Sequence, residues 1–232
     1  MKTIIPFKQL AEQAVSDPAT KNLAGQLRSY DELLKPETIV AVDAAHDGVY
    51  GILAFDEELD THIARYVSSG GLEKDSTNHL LILYASGPAE SARSLHHPLE
   101  EISGIQLEGD ANASYEFVRS AFREGTNPRL PGVLFMSRLA VDVEAVFLSA
   151  ADTASQNEAR SVLVEGFRQA SATSGVPPEK FAEKLSLSFA RSPLSSRYQR
   201  TGSISASEAL IKFWRHLLSQ RKDIMSAIKL FI

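Results

Sequence analysis

The sequence predicts an α/β protein with a mixed sheet flanked by helices. "VYGILAF" (49–55) is β-rich, and "LLILYA" (80–85) is a continuous apolar run, as expected for a strand covered on both faces. Around them lie stretches whose apolar residues recur three and four apart, the pattern of helices with one buried stripe. "PGVLFM" (131–136) and "VDVEAVFLSA" (141–150) then follow one another with no room for a helix between them.

Taken in order, residues 6–34 read as helical, with Phe7, Leu10, Ala11 and Ala14, then Leu23, Leu27, Tyr30 and Leu34, at helical spacing. Asp17-Pro18 interrupts that run and Pro36 marks its boundary. "TIVAV" (38–42) is β-rich, and the Asp-Gly pair that follows is a turn signal. "DEELDTHIARYVSS" (56–69) reads as a helix carrying Leu59, Ile63 and Tyr66 or Val67 on one face, stopped by Gly70-Gly71. A helix over about 89–103, a short strand "IQLEG" and a helix over "ASYEFVRSAFREG" with Tyr115, Val118 and Phe122 inward come next. Ser155 and Glu158 have capping-box spacing and open a helix whose apolar face is Ala159, Val162, Leu163, Phe167 and Ala170. From residue 49 the expected order is β-α-β-α-β-α-β-β-α.

Beyond Gly175 the composition changes. Pro177-Pro178 begins a short helix, "LSLSF" (185–189) alternates like a strand, and "ARSPLSSRYQRTGSIS" (190–205) reads as a polar loop. Ser205 and Glu208 open a last amphipathic helix with Leu210, Trp214, Leu217, Ile224, Ile228 and Phe231 as its stripe. The expected organisation is a helical extension over 1–37, a main domain over 38–175 and a basic appendage over 176–232. The final stripe needs a cover, which the body of the same chain, a homodimer partner or another protein would supply.

At 232 residues, 44% hydrophobic and 23% charged, the composition is that of an ordinary globular protein. "MKTIIPFKQL" is too weakly apolar for a secretory signal, and no apolar run is long enough to span a bilayer, so a cytoplasmic location is expected. The chain contains no cysteine, which excludes disulfides, thiolate nucleophiles and sulfur-ligated zinc. From Glu183 onward nine basic residues face three acidic ones, +6, whereas the preceding 182 carry 15 basic against 26 acidic, −11. Such a segment either binds a polyanion or lies against its own acidic body.

The order of elements over 49–173 resembles the thioredoxin superfamily, and local residues agree. "LLILYASGPA" is similar to the strand and turn that carry that family's redox motif, with Ser86 and Ala89 at the two cysteine positions. "RLPGVLFM" is similar to the segment in which members place a cis-proline facing the active site, here Pro131. The resemblance covers just over half the chain. It implies a thioredoxin-like fold, and the missing thiols remove disulfide exchange, which needs a thiolate attacking sulfur. The expected function is therefore non-catalytic: an adaptor engaging a protein partner through Ser86, Gly87, Pro88 and Pro131.

Two alternatives stand beside it. Ser86 could hydrogen-bond a glutathione thiolate, as in some transferases of the superfamily, although no acidic-serine pair follows Pro131 and Ser86 is equally a turn or cap residue. Arg197, Arg200 and Ser203, read as lying ahead of a helix N-terminus, could hold a phosphate or nucleic-acid backbone, or form a solvated loop. No cofactor is expected. No metal is expected either: His96 and His97 diverge on a helix, and His46, His62 and His79 lack partners at ligand spacing. Asp43, Asp110 and Asp142 invite a two-metal nuclease reading but also suit turns.

Overall fold

A computed structural model describes residues 4–6, 40, 43, 48–77, 79–84, 113–122, 126–205 and 207. Among the described residues, six strands form one mixed sheet: β1 (Ile4–Pro6), β2 (Val49–Ala54), β3 (Leu80–Tyr84), β4 (Gly132–Met136), β5 (Asp142–Ser149) and β6 (Tyr198–Ser205). Their spatial order is β1-β3-β2-β4-β5-β6. β1, β3 and β2 run parallel; β4, β5 and β6 continue the sheet antiparallel to their neighbours.

β2 and β4 read as bare apolar runs because both sheet faces are covered. Val49, Leu53, Val133 and Phe135 point to one side, and Tyr50, Ile52, Leu134 and Met136 to the other. The first side is closed by α1 (Thr61–Ser68), α2 (Gly71–Asp75), α4 (Gln156–Ala172) and α5 (Pro178–Ala190), the second by α3 (Ala113–Ser120). Phe135 lies between Phe167 and Phe189, with ring centroids 6.4 and 6.3 Å away. Asp75 ties three helices together: Tyr66 Oη donates to it at 3.2 Å, and Arg160 grips both carboxylate oxygens at 2.7 and 2.8 Å.

Local signals place several boundaries. Gly70 ends α1 with φ 72°, a left-handed conformation that favours glycine. Ser155 Oγ accepts from Glu158 N at 3.2 Å and so caps α4. The Glu158 carboxylate reaches back one residue further than a capping box requires, to Ala154 N at 2.8 Å. The expected apolar face of α4 is buried throughout.

Other expectations need correction. "LSLSF" is not a strand but the last half of α5: Phe181, Ala182, Leu185, Ser186 and Phe189 are buried at helical spacing, and Leu187 is 47% exposed. The polar loop over 190–205 contains β6, joined to β5 over Tyr198–Ser205. A one-residue bulge interrupts that pairing, because Glu144 and Val146 of β5 face Ser203 and Arg200. Thr201 Oγ1 fills the irregularity, accepting from Ala145 N at 2.9 Å.

Within "TIVAV" and just after it, Val40 and Asp43 have helical backbone rather than strand. The 56–69 helix begins only at Thr61, since Asp56 accepts from Glu58 N and Leu59 N and forms a turn that leaves Leu59 80% exposed. In the extension expected over 1–37, β1 ends where the run read as helical begins, and residues 7–37 lie outside the described residues. The composition change near Gly175 coincides with the α4–α5 connection, after which Phe181, Leu185, Phe189 and Leu194 join the same core. The helix expected over 89–103, "IQLEG" and the last amphipathic helix lie outside the described residues. None of the described helices is long and apolar enough to cross a membrane.

Candidate functional site

Pro131 opens β4, and the Leu130–Pro131 peptide bond is cis. Its carbonyl accepts from Ala150 N at 2.8 Å, and the Arg129 carbonyl accepts from Ser149 Oγ at 2.5 Å. The end of β5 thus holds the Pro131 loop from both sides. Gly132 makes that approach feasible: a Cβ there would stand 2.2 Å from the Leu148 carbonyl oxygen and 2.6 Å from the Phe147 ring.

The same strand end brings in the basic segment. Ser149 N donates to the Arg197 carbonyl at 2.8 Å. Arg197 donates to the Ala151 carbonyl at 2.7 Å and to Glu158 at 3.3 Å. Arg129 pairs with Asp152, which takes a left-handed φ of 57° that aspartate tolerates. Arg129, Ser149, Asp152, Ser196, Arg197 and Gln199 line a cavity of about 50 Å³. The Gln199 side-chain oxygen is shielded there without a hydrogen-bond partner.

Two guanidiniums are thereby balanced by two carboxylates. Ser149 Oγ donates to Arg129 O and accepts from Ala151 N at 3.1 Å. Its partners, Arg129 O and Ala151 N, are both backbone groups. The corner offers backbone and side-chain hydrogen-bonding groups.

Pro131 and Arg197 were separate readings in the sequence, and the structure joins them through Ser149 and Ala150. Arg200 and Ser203 stand in β6 rather than in a loop, and Arg200 pairs with Glu144. Both arginines of the proposed anion site therefore lie against acids of the body. Ser86, Gly87 and Pro88 lie outside the described residues. Arg129, Ser149, Asp152 and Gln199 carry no motif; only the proximity of Arg129 to Pro131 in sequence hinted at one of them.

Asp43 serves the fold. Its carboxylate accepts from Leu139 N at 3.1 Å and Ala140 N at 3.4 Å, its carbonyl accepts from Arg138 at 3.0 Å, and it bonds the Tyr50 hydroxyl. It pins the β4–β5 turn. Asp142 is exposed at the start of β5 opposite Ser205, and Asp110 lies outside the described residues. Among the described residues, no cluster of three or more His, Asp or Glu side chains could hold a metal ion.

Tyr50, Tyr66 and Tyr115 each meet an aspartate: Asp43, Asp75 and Asp60. Burial, reinforced by that carboxylate, pushes all three hydroxyls well above the usual tyrosine range. Burial also raises the Asp60 carboxyl, against the opposing hydrogen bond from Tyr115. No family model, curated protein or solved structure matches the chain.

Proposed function

We propose that this chain is a redox-inactive, thioredoxin-like binding protein that engages an extended segment of a protein partner beside Pro131. The position of Pro131 carries the reading. It stands at the open end of β4 next to a polar corner, in a chain that lacks the thiols for the chemistry its "SGPA" frame suggests. The sheet supports it as well. β2 and β3 are parallel around α1, and β4 and β5 are antiparallel, as a β-α-β unit followed by two adjacent strands requires. The resemblance adds Ser86, Gly87 and Pro88, which lie outside the described residues, to the partner-binding surface.

Site-specific photocrosslinking tests the assignment. A photoreactive residue at Arg129 and another at Ser86 should capture the same partner from extracts of the native host, and one at Glu183 should not. Failure of the two positions to capture a common protein would refute the groove. Saturable glutathione binding by calorimetry, lost in Ser86→Ala, would replace the adaptor with a transferase-like enzyme.

A further inference from the structure

We infer that a second surface, the groove between α4 and α5, binds an acidic segment of a partner protein. The groove has a volume of about 580 Å³ and is lined by Arg168, Gln169, Lys184, Leu187, Ser188 and Arg191, with Ser192 at its end. Arg168 is already gripped by Glu165, at 2.6 Å. Lys184 and Arg191 are exposed and have no carboxylate partner among the described residues, unlike Arg197 and Arg200 of the same basic segment. The groove therefore holds cationic capacity that the described residues do not neutralise. Arg191, at the carboxyl end of α5, also complements the helix dipole. Lys184 sits in mid-helix and has no such role.

The spacing selects the occupant. Lys184, Ser188 and Arg191 follow one another at i, i+4 and i+7, so the two cations stand about 10 Å apart along the axis. One small anion fits that span poorly, whereas carboxylates borne along a peptide match it. Leu187, 47% exposed between them, adds an apolar contact. Gln169 points the same way. The residue is 3% exposed, its Nε2 donates to Glu165 at 2.6 Å, and its Oε1 has no partner. That acceptor is sealed from solvent as it stands. It is met only if the Gln169 side chain turns outward to a donor, which a peptide N–H supplies and a bare phosphate or carboxylate does not. This surface is independent of the Pro131 corner.

Fluorescence anisotropy on the full chain tests it, with a fluorescein-labelled Glu/Ala peptide as probe and its Gln/Ala counterpart as control. The Glu probe should bind saturably, weaken as salt rises, and shift the amide signals of Lys184, Leu187 and Arg191. Combining Lys184→Glu with Arg191→Glu should weaken it about tenfold, the scale of two exposed charge contacts reversed. Lys184→Gln with Arg191→Gln should give a smaller loss in the same direction, and Arg200→Glu no loss. Absence of saturable binding, indifference to the charge reversals, or tighter binding of inorganic pyrophosphate or single-stranded RNA would each overturn the inference.

Discussion

β2 is buried without interruption from Val49 to Ala54, whereas along β6 only Thr201 and Ile204 are buried. The two strands belong to one sheet and differ in what surrounds them. β2 has a strand on either side and helices over both faces, so every position is aliphatic, aromatic or small. β6 is last on its side among the described strands, and its bulge places its buried residues three apart instead of two. A strand at the side of a sheet can thus have the composition of a loop, because its identity comes from the neighbour it pairs with.

This contrast can be broken at its strong end first. Phe135→Ala in the centre should cost about 3–5 kcal/mol, measured by denaturant unfolding. A loss below that of any β6 substitution would invert the comparison. Gly132→Ala should cost about 1–3 kcal/mol, since its methyl group meets the backbone of β5 rather than a movable side chain. Pro131 should move with it, so the same substitution should weaken partner capture at Arg129.

Alkaline titration sharpens the same contrast. Tyr50, Tyr66 and Tyr115 have folded-state values raised above the ordinary one, so the stability they contribute is full below about pH 10 and drains as pH rises through the raised values. Tyrosinate absorbance from these three, of six tyrosines in the chain, should appear together with unfolding. Their ionisation with native circular dichroism intact would contradict the burial described.

At the weak end, Thr201→Val should cost about 1 kcal/mol through the lost bond to Ala145. Arg200→Ala, which breaks an exposed pair with Glu144, should cost less than about 1 kcal/mol. Chemical denaturation of both variants checks the order, and a larger loss for Arg200→Ala would reverse it.

The legibility of the sequence followed the same divide. β2, β3, β4, β5 and α4 were readable because burial on one face writes a period into the residues and burial on both writes an unbroken apolar run. α5 misled through Leu185, Leu187 and Phe189, whose local alternation mimics a strand. The earlier buried pair Phe181 and Ala182 restores the helical period. In the candidate site, Pro131 was legible from its own residue type. Ser149 and Asp152 were not, since their place beside it comes from the β4–β5 register, which sets Gly132 opposite Ser149. No spacing in the sequence encodes that register.

The bulge at Thr201 and Gly202 has a consequence for the company the molecule keeps. A regular row of outward amides and carbonyls is a template on which another strand, including one from a second copy, can grow. The extra residue in β6 throws that row out of step, and Thr201 turns its hydroxyl back toward Ala145 instead of lying flat. An incoming strand can match the row on one side of the step or on the other, but not across it. The irregularity that hid β6 in the sequence is thus also a guard against fibre growth at this side of the sheet.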